Sequence, residues 1–227
     1  MSNDTLELFC DIETRPCDDP KLIELITAGI APPGNMSKAE TIAKWEREDK
    51  PLLVKAALAK TSLDGTYGRV CSISFAFDAE RVDGFIDRDE KKVLTQFYKR
   101  VDDRSRDFIT KQPKKPVVVT HGDFDLRFLW QRSVVNGIKP HPLLPWNKRA
   151  WDEQIRDTMV MWNPSPDKRI SLHKLCLVLG VVSPKDKNGI TGADVAGLWM
   201  RRRYDQILAY GKDDVEALRQ CYRKLKI

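Results

Sequence analysis

Four acidic residues occupy positions from which they could bind metal ions together. Asp11 and Glu13 are two residues apart in a short, largely apolar segment, and side chains two apart on a β-strand point to the same face. Tyr210 and Asp214 are four apart in a segment with helical periodicity, so they share one face of a helix. Together with Asp125, these carboxylates would repel one another unless cations that prefer oxygen ligands, Mg²⁺ or Mn²⁺, neutralised them. Such a site supports metal-dependent hydrolysis.

Three short motifs carry these residues, and together they resemble the exonuclease motifs of the DEDD superfamily in its tyrosine-bearing branch. The motifs are Asp-Ile-Glu-Thr at 11–14, Phe-Asp-Leu-Arg-Phe-Leu at 124–129 and Tyr-Gly-Lys-Asp-Asp at 210–214. That branch includes the proofreading domains of family A and B DNA polymerases. The chain is most similar to stand-alone 3′-5′ exonucleases related to family B, many of them from phages and mobile elements. Tyr98 and Asp102 have the same four-residue spacing but precede the second motif, so we assign them to ordinary helix surface.

The resemblance implies two-metal hydrolysis, in which two divalent ions, Mg²⁺ or Mn²⁺, activate a water and stabilise the attacking and leaving oxygens. Asp11 would bridge both ions, and Asp125 would support the second. Glu13 and Asp214 would complete the first site, and Tyr210 would orient or help deprotonate the attacking water. Single-stranded DNA, shortened from its 3′ end, is the expected substrate because of the similarity to DNA proofreaders. RNA stays open as an alternative, since related enzymes degrade it.

Five further residues are candidates for substrate contacts. Thr14 would meet the terminal nucleotide through its hydroxyl or its backbone amide. The family usually has an asparagine five residues before the second-motif aspartate, where this chain has Thr120 followed by His121. That departure affects rate and substrate preference more than the chemistry. His121 could act as a base, but we favour a structural role beside the site. Phe124 or Phe128 could stack on a base, although core packing is favoured for both.

The segments that would position these motifs follow an α/β pattern. Strands are predicted at 6–13, 69–77, 81–86 and 116–120, and helices at 90–103, 124–136, 171–179 and 193–225 with a break near Arg203. Strands that alternate with helices after an antiparallel-looking start are typical of the RNase H-like fold. The resemblance to DnaQ-like exonucleases also implies this fold, with a mixed five-stranded sheet flanked by helices. A Pro/Trp-rich loop is predicted at 139–151, and irregular structure around Asp157 and Thr158.

Residues 16–62 resemble the family least. They connect the first two predicted strands, where an ordinary connection is a few residues long, and 36–60 have a helical, mixed-charge pattern. We interpret them as a helical insertion in a single exonuclease domain spanning 1–227. Because Arg15-Pro16 directly follows the first motif, the insertion would lie beside the 3′ end of the substrate. It would either gate or contact the substrate or be a plain decoration.

Composition limits the class of protein. The chain has 39 Lys and Arg against 33 Asp and Glu, and the presumed metal ligands account for four of the acids. The rest is therefore more basic than the net charge of +6 indicates, as suits a phosphate backbone. Short basic clusters occur at 111–115, 148–149, 168–169 and 201–203, although each alone could be a solubilising surface patch. Five cysteines without a Cys-x-x-Cys pair argue against a disulfide framework and a zinc site.

Location and partners are expectations of the same kind. No apolar run approaches the roughly 18 residues of a membrane helix, and no charged-then-apolar leader opens the chain. We therefore expect a cytoplasmic protein with no membrane contact, or a nuclear one if the host has a nucleus. With no appended polymerase or helicase domain expected, the exonuclease would act alone or with a separate polymerase or a replication or recombination protein.

Three other classes of function stay open on the sequence. An RNase H-like endonuclease shares the fold and the acidic core, but Tyr-x-x-x-Asp and the paired Asp-x-Glu favour an exonuclease. A catalytically silent nucleic-acid-binding module is the second, and the presence of all four acids and the tyrosine argues against it. The third is a phosphodiesterase for dinucleotides or sugar phosphates, which would show little preference for long strands.

Overall fold

The sheet of this protein is mixed. The structure, a computed structural model, describes residues 5–106, 112–147 and 152–226. In them a five-stranded sheet has the order β3-β2-β1-β4-β5. Its strands are β1 (Glu7–Arg15), β2 (Arg69–Phe77), β3 (Asp83–Ile86), β4 (Val117–Thr120) and β5 (Ile155–Asp157). β4 is parallel to both β1 and β5, whereas β2 and β3 are antiparallel. The predicted α/β architecture, an RNase H-like mixed sheet of five strands, is confirmed.

The described residues form ten α-helices. They are α1 (Pro20–Ala28), α2 (Ala39–Glu48), α3 (Lys50–Lys60), α4 (Glu90–Ser105), α5 (Phe124–Val135), α6 (Thr158–Trp162), α7 (Leu172–Leu179), α8 (Pro184–Asn188), α9 (Val195–Met200) and α10 (Tyr204–Leu225). The predicted break near Arg203 is confirmed, because Arg202 between α9 and α10 adopts the left-handed region at φ 57°. No helix in the described part of the chain is both long and apolar enough to cross a membrane.

The chain divides into two compact units. The sheet unit comprises Met1–Glu13 and Val70–Ile227, and the helical unit comprises Thr14–Arg69. In the helical unit, α2 and α3 confirm the helical pattern predicted at 36–60, while α1 was not predicted. Asp19 caps α1 by accepting hydrogen bonds from the first-turn amides of Lys21 and Leu22. The role of the insertion predicted at 16–62 stays a prediction.

Two apolar layers sandwich the sheet of the sheet unit. On one face, Leu8, Cys10 and Ile12 of β1 pack into a core shared with α4 and α5. On the other face, Phe9 packs against α10, with the ring centroids of Phe9 and Tyr222 5.6 Å apart. Alternate residues of β1 thus serve opposite layers, as the strand period requires. Asp11 and Glu13 follow Phe9 at intervals of two, so they lie on the face that α10 covers.

A buried ion pair fixes the far end of α5. The Glu90 carboxylate accepts from Arg132 Nε at 2.9 Å and Nη2 at 2.8 Å, and both side chains are buried. It also accepts from the Val70 amide at 2.7 Å and from Asn136 Nδ2 at 2.7 Å. These bonds tie α5 to the start of α4 and to β2. Because every oxygen of the buried carboxylate has a partner, the pair specifies how α5 lies on the sheet.

One prediction about the connection after α5 was wrong. Irregular structure was predicted around Asp157 and Thr158, but β5 ends at Asp157 and α6 begins at Thr158. β5 has only three residues, too few for an alternating pattern to be recognised, and α6 has only five. The Pro/Trp-rich segment has no helix or strand over 139–147, and its remainder, 148–151, lies outside the described residues.

Candidate active site

Three carboxylates from two elements meet in the sheet unit. Asp11 and Glu13 of β1 and Asp214 of α10 each offer an oxygen, and these oxygens lie within 4.8 Å of one another. Glu13 is buried, while Asp11 and Asp214 are partly exposed. Oδ2 of Asp11 is buried and has no hydrogen-bond partner among the described residues. An unsatisfied buried oxygen in an all-oxygen donor set fits a hard divalent cation.

Asp125 reaches the same region from the first turn of α5. Its carboxylate accepts a hydrogen bond from the Ile12 amide, which lies between the two acids of β1. Among the neighbouring charges, that carboxylate is the one that most raises the pKa of Asp11. Asp125 is not one of the three residues whose oxygens lie within 4.8 Å of one another. The four predicted acids are therefore brought together as a close group of three with Asp125 beside Asp11.

The surroundings of the four acids disfavour their ionised form. Burial raises the pKa values of Asp11 and Glu13 well above their usual range, and the neighbouring carboxylates raise them further. Burial also raises the pKa of Asp125 to about 7 and that of Asp214 to about 6. For Asp214, the hydrogen bond from Tyr210 and the nearby ammonium of Lys185 partly oppose this shift. Without a cation, the group would hold protons near neutral pH.

Tyr210 lies one helical turn before Asp214 and is bonded to it. Its phenol hydroxyl donates to the Asp214 carboxylate, and its ring packs with Ile207 and Leu198. Burial, followed by the neighbouring carboxylates, raises the pKa of Tyr210. The side chain is therefore a neutral hydrogen-bond donor at physiological pH.

Two glycines let α10 approach the sheet closely enough to bring Asp214 to β1. A Cβ at Gly211 would lie 2.8 Å from Ser74 Oγ of β2 and 3.7 Å from Glu13 Cγ. A Cβ at Gly84 of β3 would lie 2.9 Å from Leu208 Cδ1. Only residues without side chains fit at these contacts. The sequence analysis did not identify them, although a glycine inside a helical pattern is a signal of close packing.

A buried aspartate holds the turn that leads into α5. Oδ1 of Asp157 accepts from the Gly122 amide at 2.9 Å and from the Met159 amide at 2.9 Å. Gly122 has φ +98°, a conformation that side-chain-bearing residues rarely adopt. Asp157 thus fixes the β4–α5 turn and, through it, the first turn that carries Asp125. Sequence reasoning missed this role because the two partners are 35 residues apart.

Two of the three polar candidates for substrate contact, Thr14 and His121, have side-chain hydrogen-bond partners within the protein. The Thr14 hydroxyl, in the helical unit, donates to the Ser62 carbonyl at 2.6 Å. Thr120 is buried at the end of β4. His121 Nε2 lies 2.8 Å from the Ile170 carbonyl and must donate to it, while Nδ1 lies 2.9 Å from the Thr158 hydroxyl. Burial lowers the pKa of His121, so the neutral ring with its proton on Nε2 is favoured.

The two phenylalanines of the second motif pack on each other. The ring centroids of Phe124 and Phe128 are 5.3 Å apart. Phe128 is 2% exposed and belongs to the core beneath α5, and Phe124 is partly buried against it. A base could not stack on Phe128 without displacing core side chains.

Part of the basic surface can be located. Lys168, Arg169 and residues 201–203 are exposed, as expected for loops. Lys111 and the Lys148-Arg149 cluster lie outside the described residues. In the 111–115 cluster, Lys115 is exposed and Lys114 is partly buried.

The chain was compared with known proteins. Residues 60–222 match the model of a family described as predicted 3′-5′ exonucleases related to the exonuclease domain of PolB. The matched residues contain the second and third motifs, whereas the first motif lies before them. No curated protein matches the chain. Because the match covers more than half of the chain, this protein belongs to that family of predicted 3′-5′ exonucleases.

Proposed function

We propose that this protein is a metal-dependent exonuclease that removes nucleotides from the 3′ end of single-stranded DNA. The observation that carries the proposal is the meeting of Asp11, Glu13 and Asp214 with oxygens within 4.8 Å of one another. The family to which the chain belongs supports the 3′-5′ direction of cleavage. DNA is proposed over RNA because the family is related to the exonuclease domain of a DNA polymerase.

The donor set is suited to Mg²⁺ or Mn²⁺. Asp11, Glu13 and Asp214 would hold one ion, and Asp125 with Asp11 would hold a second. When bound, such cations neutralise charge on the attacking and leaving oxygens of a phosphodiester. The buried, unpartnered Oδ2 of Asp11 supports this assignment, since an isolated buried carboxylate oxygen is otherwise costly.

The chain's own groups orient the reaction. The Ile12 amide holds the Asp125 carboxylate, and Tyr210 holds Asp214. A phenol whose pKa is raised keeps its proton, which Tyr210 donates to Asp214. Its oxygen would therefore orient the attacking water by accepting a hydrogen bond from it rather than act as its base. His121, with both ring nitrogens engaged, would support the loop before α5.

The test is the cleavage of end-labelled oligonucleotides. We expect 5′-labelled single-stranded DNA to shorten stepwise in Mg²⁺ or Mn²⁺, and a circular single strand to stay intact. Asp11→Asn and Asp214→Asn should each lower kcat by at least about 10²-fold, because each removes a charge that the site needs to bind cations. Asp205→Asn is the matched control, since Asp205 is an exposed acid on the same helix as Asp214.

Several outcomes would overturn the proposal. Full activity in excess EDTA would exclude the metal role, and cutting of circular strands would indicate an endonuclease. Degradation of RNA but not DNA would make the protein an exoribonuclease. Metal-dependent binding of strands without any shortening would indicate a silent binding module.

A further inference from the structure

A pocket opens beside the candidate active site in the sheet unit. Its volume is about 290 Å³, and it lies where the parallel strands β4 and β5 end, at Thr120 and Asp157. The carboxyl ends of parallel strands are where ligands most often bind in open α/β sheets. None of the proposed metal ligands lines the pocket.

The walls of the pocket are aromatic and apolar. They include Trp130 of α5 and Trp146 of the following loop, with Leu126 and Ile155. Trp146 is held in place, because its indole N–H donates to the His141 carbonyl at 2.7 Å and its ring meets Tyr98 edge-on. Trp130 is 40% exposed, so part of its ring is open to solvent. Such a pair of indoles offers flat surfaces to a planar ligand.

Asn147 and Arg127 of the pocket suit a nucleotide, and the lining also includes the carboxylates of Asp123 and Asp157. The Asn147 side chain carries both a donor and an acceptor, which the edge of a nucleobase requires. Arg127 is 64% exposed and lies 4.0 Å from Asp123, too far for a strong ion pair, so its guanidinium is available to a phosphate. The pocket thus offers aromatic rings, an amide and a cation together, the combination that binds single-stranded nucleic acid.

The pocket lies next to the carboxylates along α5. Leu126 of the pocket directly follows Asp125, and Trp130 lies one turn further on the same side as Leu126. A helix is about 10–12 Å in diameter, so a strand passing the first turn of α5 would reach both places within one or two nucleotides. Trp130 is also more accessible to a base than Phe128, which is 2% exposed.

We propose that this pocket binds a nucleobase of the substrate strand upstream of the nucleotide that is removed, with stacking on Trp130 and with Arg127 near the adjoining phosphate. This inference rests on the proposed exonuclease function. It makes Trp130 a positioning residue: it would bind the strand and take no part in bond cleavage.

Two substrates separate strand binding from chemistry. The p-nitrophenyl ester of thymidine 5′-monophosphate has p-nitrophenol in place of the upstream strand, so it cannot use the pocket. A ten-residue oligothymidylate can. For Trp130→Ala we expect KM on the oligothymidylate to rise roughly tenfold, the size expected for one lost base-stacking contact, with kcat unchanged. Activity on the ester should equal that of the wild type, and Trp130→Phe should restore most of the affinity.

The matched control is Trp162→Ala, because Trp162 is 41% exposed and lies outside the pocket. Equal KM values for Trp130→Ala and Trp162→Ala, with an active wild type, would overturn the pocket while leaving the exonuclease in place. If the wild type cleaves neither substrate, the proposed exonuclease function is wrong. Anisotropy of labelled oligothymidylate in EDTA then tests the pocket alone, where weaker binding by Trp130→Ala only would support it. Equal binding by the wild type and by Trp130→Ala would overturn it.

Discussion

The role of Tyr210 can be tested by removing a single atom, its phenol oxygen. Its hydroxyl is bonded to Asp214, and its ring is packed in an apolar cluster. Removing the oxygen leaves that packing intact. We expect Tyr210→Phe to lower kcat by about 10²-fold, the lower end for a group that handles a proton, with metal affinity and melting temperature almost unchanged.

Tyr98→Phe is the matched control for this prediction. Tyr98, which was wrongly predicted to lie on the helix surface, is equally buried, and its hydroxyl lies 2.6 Å from Ser133 Oγ. Neither residue belongs to the three motifs. Its loss should lower stability by about 1 kcal/mol and leave turnover unchanged. If Tyr210→Phe behaves like this control, with normal kcat and a lower melting temperature, Tyr210 has no part in catalysis.

At the scale of single residues, sequence was most informative where the spacing is local. Asp11 with Glu13, and Tyr210 with Asp214, share faces because strand and helix periods place them there. Their common location with Asp125 was inferred from the resemblance, since no local rule brings residues 11, 125 and 214 together. The partners of His121 could not be foreseen, because Thr158 and Ile170 come from other elements. Trp130 gave no signal, since an isolated tryptophan on a helix is usually a core residue.

At the scale of elements, the contact between α10 and β2 sets the position of Asp214. Alanine normally stabilises a helix relative to glycine by about 1 kcal/mol. At position 211 it would instead press a methyl group against Ser74 Oγ at 2.8 Å and displace α10. We expect Gly211→Ala to cost about 1–3 kcal/mol of stability and to lower kcat, because overpacking forces the helix to shift.

The second half of this test is a rescue. Ser74 Oγ is buried without a hydrogen-bond partner among the described residues, so Ser74→Ala alone should be neutral or stabilising. In the double variant the new methyl group faces Ser74 Cβ at 3.5 Å, an ordinary contact. Stability and kcat should therefore recover, which a double-mutant cycle measures. Equal loss with and without Ser74→Ala would mean that this contact does not position α10.

The elements that sequence analysis found have a local signal in their apolar residues. β1, β2, α4, α5 and α10 were predicted within about two residues of their ends, and so were the shorter β3, β4 and α7. β5 and α8 are too short to show a period, and α1 begins with a cap and a proline in a segment of weak pattern. β5 is a strand because it pairs with β4, and the local sequence does not indicate which strands will pair.

At the scale of the whole molecule, the helical unit contributes no metal ligand that the motifs predict. We expect deletion of residues 35–60 to raise KM or reduce processivity on long DNA. The single-turnover rate on a very short substrate should fall far less, because an insertion of this kind would bind substrate rather than perform chemistry. A folded deletion variant with unchanged KM on long DNA would show that the insertion has no role in substrate binding. Global unfolding would make it part of the folding core.

Stability without metal should fall as pH rises, and this follows from the carboxylates as a group. An unfolded Asp has a pKa of about 3.9, whereas the folded pKa is about 7 for Asp125 and about 6 for Asp214. The folded protein therefore holds protons more tightly than the unfolded chain. The stability that these groups contribute is fully present below about pH 4 and is lost as pH rises to about 7.

Asp125→Asn removes one of these charges while keeping an oxygen that can accept from the Ile12 amide. In EDTA at pH 7.5, we expect it to melt above the wild type, by about 2–4 °C for each kcal/mol of repulsion and desolvation relieved. The difference should shrink towards pH 4, where the wild-type carboxylates are protonated. Adding Mg²⁺ should reverse the order at pH 7.5, because the cation stabilises the charged wild-type site more than the neutral variant. Melting curves from pH 4 to 8 measure this, with Asp205→Asn as control. A variant that melts below the wild type in EDTA at pH 7.5 would show that the carboxylates do not repel in the folded state.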